Sequence, residues 1–180
     1  MNGKLIYWDS CVFLAYFKNE PRPAGEMEGL LDLAQEVDAG KKTLVTSVIT
    51  RMEILRSTLT AEQNRKYDLL FKRRNFQEMP IDKRVVALAH DLRDFYKKAA
   101  DRLPTPATPD SIHLATAINC RVDCFYTFDE RNSGKRRGLL PLNGNVAGHN
   151  LTILKPLAKQ THFLHVMDNA KEAQPAAPGS

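Results

Sequence analysis

Four acidic residues, each placed where a short apolar run ends or a helix begins, are the side chains of this sequence best suited to chemistry. Asp9 follows the run LIYW, Glu53 comes shortly after TLVTS, Asp110 opens the segment DSIHLATAI, and Asp129 ends the run CFYTFD. The carboxyl ends of parallel strands meet at one edge of a sheet, so carboxylates from separate segments can gather there. Clustered carboxylate oxygens bind hard divalent cations such as Mg²⁺ and Mn²⁺. The sequence therefore predicts a metal site built from these four acids.

The chemistry expected of such a site is metal-assisted hydrolysis, and attack of water on a phosphodiester is one form of it. Carboxylates held close together repel one another, and one or two divalent ions relieve that repulsion while keeping water in their coordination shells. An ion of this kind polarises a phosphodiester and lowers the pKa of a bound water that attacks phosphorus. Ser10 and Thr127 lie beside two of the acids, and their hydroxyls are predicted to orient a carboxylate or hold a water.

Each acid also has a simpler structural explanation. Asp9 can be a helix N-cap, and Asp110 lies in a first helical turn, where the helix dipole favours a carboxylate. Thr50 and Glu53 have the spacing of a capping box, although an earlier helix start would leave the glutamate free to point elsewhere. Asp129 can simply begin a turn. Any one acid is explained in this way, whereas the four together favour the metal site.

The elements that must position these acids alternate between strand and helix, which predicts an α/β fold with helices on both faces of a mostly parallel sheet. Apolar runs predict five strands, near residues 4–9, 43–47, 75–79, 123–127 and 151–154. Helices are expected over about 26–39, 61–74 and 82–101. In the last of these, apolar residues recur at three- and four-residue steps on one face: Val85, Leu88, Ala89, Leu92, Phe95, Tyr96 and Ala99.

Length and composition predict one domain over residues 1–160. The chain has 180 residues, of which 43% are hydrophobic, enough for one sizeable core. Residues 161–180 lose apolar periodicity and are predicted to form a flexible tail. No apolar run has the length of a membrane span and no signal peptide is evident, which predicts a cytoplasmic protein. The three cysteines, Cys11, Cys120 and Cys124, are interpreted as reduced packing residues.

A formal charge of +5 suggests an anionic partner. Most basic clusters are interpreted as solvated surface, but Lys135, Arg136 and Arg137 follow Asp129 closely in a polar loop. We expect this cluster to contact a nucleic acid at the rim of the acidic cleft. His113 is predicted to be a hydrogen-bonded core histidine rather than a ligand.

In order and spacing, the four motifs resemble those of the PIN-domain nucleases, most closely the VapC-like toxin ribonucleases of bacterial toxin–antitoxin pairs. Members of that family carry D-[ST] after the first strand, S-x-x-T-x-x-E-[ILV] at a helix start, D-x-x-H-x-A-T-A on a later helix and T-x-D after a later strand. This chain has Asp9-Ser10, residues 47–54, residues 110–117 and residues 127–129 in the corresponding order. Where members often have an aromatic residue three positions after the last acid, this chain has Asn132, which is included among the supporting positions.

The resemblance implies a PIN-like three-layer fold with a central, mostly parallel five-stranded sheet. It also implies endonucleolytic cleavage of single-stranded or loop RNA with Mg²⁺ or Mn²⁺, a homodimer, and a small antitoxin that keeps the enzyme inactive. Two alternatives stay open: a PIN nuclease of RNA processing or DNA repair without an antitoxin, and an inactive PIN scaffold that binds RNA or protein. The sequence has no G-x-x-x-x-G-K-[ST] loop, which counts against an ATP- or GTP-driven function.

Overall fold

The computed structural model describes residues 4–99, 104–130 and 137–158. Within these ranges five strands form one sheet in the order β3-β2-β1-β4-β5, and every pairing between them is parallel. The predicted α/β fold and all five predicted strands are confirmed. The strands are β1 (Lys4–Trp8), β2 (Lys42–Ser47), β3 (Phe76–Met79), β4 (Cys124–Tyr126) and β5 (Ile153–Leu154).

Six α-helices connect the strands in the described ranges. The three predicted helices are present, with ends that differ by up to three residues, and the region just beyond the end of the longest one, residues 100–103, lies outside those ranges. Thr60 and Gln63 form a capping box at the start of α4, and Asp82 caps α5. The helices are α1 (Ser10–Lys18), α2 (Glu26–Asp38), α3 (Thr50–Glu53), α4 (Ala61–Phe71), α5 (Lys83–Lys98) and α6 (Thr108–Cys120).

The sheet separates two apolar cores, which gives the three-layer arrangement. Successive residues of a strand point to opposite faces, so Trp8 packs with α1, α2 and α4 while Tyr7 packs with α5 and α6. The first core is rich in aromatic rings, and the second is mostly aliphatic around Tyr7 and Phe125. Among the residues described, no helix is long and apolar enough to cross a bilayer.

The buried face of α5 is narrower than predicted. Val85, Ala89, Leu92 and Tyr96 are buried, but Phe95 is 53% exposed. Successive residues of a helix are about 100° apart around its axis. Because Tyr96 lies on the buried face, its neighbour Phe95 lies beside that face. The prediction that Phe95 belongs to the core face is therefore wrong.

The strand register brings the segments that follow β1, β2 and β4 to one edge of the sheet. β1 lies between β2 and β4, with Tyr7 opposite Val45 and Trp8 opposite Tyr126. The residues that follow these strands therefore meet at the carboxyl edge, where parallel α/β sheets bind ligands.

Candidate active site

Asp9 lies directly after β1 and caps α1. Its Oδ1 accepts hydrogen bonds from the Val12 amide at 3.1 Å and from the Cys11 thiol at 2.9 Å. Its Oδ2 accepts one from the Thr127 hydroxyl at 2.5 Å. The capping explanation is thus correct for one oxygen, but the second oxygen is held by a residue that follows another strand.

The surroundings of Asp9 make its negative charge costly. The residue is 5% exposed, and burial raises the pKa of its carboxyl group, an effect that the hydrogen bonds from Cys11 and Thr127 offset only in part. Burial and the nearby carboxylate also raise the pKa of Cys11 well above its ordinary value, so the thiol keeps the proton that it donates. In the described part of the chain, no lysine or arginine pairs with Asp9. A bound cation would supply the missing counter-charge.

Thr127 connects Asp9 to Asp129. Its buried hydroxyl donates to Asp9 and accepts the Asp129 amide hydrogen at 2.9 Å. The Asp129 carbonyl accepts hydrogen bonds from the amides of Leu139 and Leu140 at 3.0 and 2.9 Å. The hydroxyl therefore links the Asp9 carboxylate to the backbone of Asp129.

Charged contacts on either side of Asp129 hold its segment against α2 and the end of the sheet. The guanidinium of Arg22 lies 3.7 Å from the centre of the Phe128 ring. The Lys155 ammonium contacts Glu130 at 2.8 Å and the buried Glu26 at 3.0 Å. The chain after β4 is thus tied down both before and after the acid.

Glu53 ends the one-turn helix α3 and points away from the helix start. Its carboxylate accepts a hydrogen bond from the Ser10 hydroxyl and contacts His113 Nε2 at 2.7 Å. Thr50 is inside the helix, its hydroxyl contacts Thr46 at 2.7 Å, and the N-cap position is Ile49. The capping-box explanation of Glu53 is therefore wrong.

His113 is the buried histidine that the sequence predicts, but its partners belong to the site. It is 2% exposed, its Nδ1 lies 2.7 Å from the Tyr7 hydroxyl, and its Nε2 contacts Glu53 and, at 3.3 Å, Ser10. Sequence reasoning missed Tyr7 entirely. The D-x-x-H spacing was a usable signal for His113, since residues three apart share a helix face.

Asp110 lies in the first turn of α6, three residues before His113, and is 7% exposed. The hydrogen bonds described above join Asp9, Thr127 and Asp129 in one group and Ser10, Glu53 and His113 in another. The two groups are neighbours because Asp9 and Ser10 are consecutive residues. Within the described ranges, no three His, Cys, Asp or Glu side chains are close enough to hold one ion as they stand. The available donors, carboxylate and hydroxyl oxygens, are those that Mg²⁺ and Mn²⁺ prefer.

Arg137 is not a surface cation. It is 3% exposed, its Nε donates to the Pro104 carbonyl at 2.7 Å, and its guanidinium lies 4.4 Å from the centre of the Tyr96 ring. The prediction that this side chain contacts nucleic acid at the rim is therefore wrong. Asn132, Lys135 and Arg136, like the predicted tail 161–180, lie outside the described residues.

The prediction for the cysteines agrees with the structure. Cys11, Cys120 and Cys124 are all free thiols, as expected of reduced residues. Asp123 lies before β4, at the edge of the sheet away from Asp9, where its carboxylate accepts the Leu5 amide hydrogen at 2.7 Å.

The sequence signature of the PIN domain matches residues 6–136, well over half of the chain. The chain therefore belongs to the PIN domain family, whose members are nucleases that generally use divalent metal ions. A comparison with the sequences of curated proteins gives no significant match.

Three solved structures share this fold at low sequence identity. VapBC2 from Rickettsia felis, bound to a DNA fragment from its promoter, is 12% identical, with a TM-score of 0.58 over 83% of this chain and 97% of that one. A toxin–antitoxin complex from Klebsiella pneumoniae is 19% identical, with a TM-score of 0.51 over 84% and 97%. FitAB bound to the IR36 DNA fragment is 18% identical, with a TM-score of 0.54 over 84% and 94%.

Proposed function

We propose that this protein is a metal-dependent endoribonuclease and the toxin of a toxin–antitoxin pair. The observation that carries the proposal is the buried carboxylate of Asp9, held by neutral donors at the carboxyl edge of a PIN-domain sheet. An ionised carboxylate in that setting is stabilised by a cation at the site. The other acids of the four motifs lie on the elements that border the same edge.

Asp9, Glu53, Asp110 and Asp129 are the proposed ligands. A bound Mg²⁺ or Mn²⁺ would polarise the scissile phosphodiester and acidify an attacking water. Thr127 keeps Asp9 in place relative to the backbone of Asp129, and Ser10 does the same for Glu53. Lys135 and Arg136 remain the residues proposed to contact the RNA backbone, and Asn132 a supporting residue.

The proposed partners are an antitoxin and a second copy of the chain, in the cytoplasm. Two of the three structural relatives are named as VapBC or toxin–antitoxin complexes, and the matches cover 83% and 84% of this chain and 97% of each relative. Met52 and Leu55, which flank Glu53, are 76% and 61% exposed. Exposed apolar side chains beside a charged cleft are suited to contact with a protein.

The proposal is tested with a cleavage assay on a pool of structured RNAs, in the presence of Mg²⁺ or Mn²⁺ and again after chelation with EDTA. We expect internal cleavage that depends on the metal and stops in EDTA. Activity that persists undiminished in EDTA would contradict the metal mechanism. An RNase-free preparation of Asp9→Asn, purified in parallel, controls for contaminating nucleases.

The same assay separates the alternatives. A PIN nuclease of RNA processing or DNA repair would be active, and no gene for a small antitoxin would lie beside its own gene. The DNA-repair form would cut DNA. An inactive scaffold would bind RNA or protein without cutting either nucleic acid. Co-expression with the product of an adjacent small open reading frame is expected to abolish cleavage if that product is the antitoxin.

A further inference from the structure

A chain of hydrogen bonds leads from the backbone of β2 to Glu53 through two buried side chains. The Ser47 amide donates to the Tyr7 hydroxyl at 3.0 Å, and that hydroxyl lies 2.7 Å from His113 Nδ1. On the other side of the ring, Nε2 lies 2.7 Å from the Glu53 carboxylate. Tyr7 and Ser47 are 0% exposed and His113 is 2% exposed, so these hydrogen bonds lie inside the protein, and the half-buried Glu53 carboxylate is their more exposed end.

The direction of the hydrogen bonds follows from the donors available. A backbone amide can only donate, so the Tyr7 oxygen accepts from Ser47, and the 2.7 Å contact with His113 Nδ1 suits a Tyr7 hydrogen directed at that nitrogen. With Nδ1 acting as an acceptor, a neutral imidazole carries its hydrogen on Nε2 and donates it to Glu53.

The packing around the ring leaves it little freedom to turn. The Tyr7 ring stacks on Phe125 with centroids 4.9 Å apart and meets the His113 ring edge-on at 5.8 Å. Glu53, by contrast, belongs to a helix of only four residues, and its side chain is 28% exposed. A single helical turn is a weak anchor, so the direction of the carboxylate is set by contacts with other elements, His113 and Ser10 among them.

We propose that His113 and Tyr7 are positioning residues of this site: His113 donates through Nε2 to Glu53 and holds its carboxylate toward the cation, and Tyr7 fixes the ring that does so. The inference rests on the proposed function, because it assumes that Glu53 serves a metal. It predicts that loss of the Nε2 donor weakens metal binding even where the fold is intact.

Two substitutions of one residue separate positioning from packing. In His113→Gln the side-chain amide can reach the place of Nε2 and donate to Glu53, whereas in His113→Asn the shorter amide reaches only the place of Nδ1. Thr116→Val is the matched control, since Thr116 is a buried residue of the same helix whose hydroxyl donates only to the Ile112 carbonyl. Tyr7→Phe removes the hydroxyl while keeping the stacked ring.

Calorimetry without RNA measures the binding of Mn²⁺ to each metal-free protein. The melting temperature of each protein is recorded as well. We expect His113→Asn to bind Mn²⁺ about 10- to 100-fold more weakly, His113→Gln and Thr116→Val to bind like the wild type, and Tyr7→Phe to fall between them. Equal binding by the Asn and Gln variants, whether both normal or both weakened, overturns the inference.

A second measurement is made on the wild-type protein, so its result does not depend on how stably a variant folds. The nitrogen resonances of the His113 ring in the metal-free wild-type protein, assigned by their absence from His113→Gln, report its tautomer. We expect the Nε2–H form, and an Nδ1–H ring overturns the inference while leaving the proposed function intact. Wild-type protein that binds no Mn²⁺ overturns the proposed function and this inference with it.

Discussion

Asp9 and Asp123 lie at opposite edges of one sheet, and each carboxylate accepts a backbone N–H group. Asp123 is exposed and accepts the Leu5 amide hydrogen before β4. Asp9 is 5% exposed after β1, and burial raises the pKa of its carboxyl group. Water can solvate the first carboxylate, whereas the hydrogen bonds to the second come from neutral donors in the described part of the chain. The difference shows that burial without a paired lysine or arginine, rather than an acid at a strand end, distinguishes the candidate site.

Substitution of the two acids gives the largest contrast. Asp9→Asn keeps the shape and the N-cap but removes the charge that a cation needs, so we expect RNA cleavage to fall by more than about 100-fold. Asp123→Asn, at the other edge, should cleave at the wild-type rate. The comparison is made with initial rates at saturating Mg²⁺, and equal rates for the two variants would remove Asp9 from the site.

Glu53→Gln is expected to have the next largest effect. The amide keeps an oxygen that can accept from His113 and Ser10 but carries no charge, so cleavage should fall by about 10- to 100-fold. The melting temperature should change little. Glu62→Gln, at an exposed position of α4, is the control. Full activity of Glu53→Gln would leave a site of three acids: Asp9, Asp110 and Asp129.

Thr127→Val tests the hydroxyl that joins two of the acids. Valine keeps the shape of the side chain but leaves Asp9 Oδ2 without its donor and the Asp129 amide without its acceptor. We expect cleavage to fall about tenfold, in the range found for residues that orient metal ligands. Thr116→Val, which loses a bond within its own helix, should leave the rate unchanged, and the same loss in both variants would indicate a general effect on folding.

The smallest expected effect is on the stability of the metal-free protein. Because the folded pKa of Asp9 is raised, the folded state binds more protons than the unfolded state between the unfolded value, about 3.9, and the folded one. The contribution of Asp9 to the stability of the wild type therefore falls as pH rises through that interval. The asparagine of Asp9→Asn does not titrate, so this loss is absent from the variant. Denaturant unfolding in EDTA should show that, from about pH 4 upward, the free energy of unfolding of Asp9→Asn rises relative to that of the wild type. A difference that stays constant with pH would contradict the buried, unpaired charge.

The sequence predicts the sheet well because strands depend on local patterns, and the same patterns predict which acids stand at the ends of these elements. Apolar runs bounded by polar residues mark the strands, and Asp9 and Asp110 stand at the ends of such runs or at helix starts. The order of parallel strands then brings distant segments to the same edge without further information.

The contacts between side chains could not be predicted in the same way. Tyr7 and His113 are separated by 106 positions, and His113 and Glu53 by 60, so no periodicity relates them. Charge is equally uninformative about Arg137, because the Tyr96 ring and the Pro104 carbonyl that surround it come from other parts of the chain. Patterns of residue types predict burial and element type, whereas the choice of partner depends on three-dimensional packing.

The most direct test of the site is the binding of Mn²⁺ itself, measured from the free Mn²⁺ signal in electron paramagnetic resonance on wild type, Asp9→Asn and Asp123→Asn. Wild type and Asp123→Asn are predicted to bind one or two ions with the same affinity, and Asp9→Asn is predicted to bind more than about 100-fold more weakly. Binding that is the same in all three proteins, or absent from the wild type, would contradict the metal site at the carboxyl edge of the sheet.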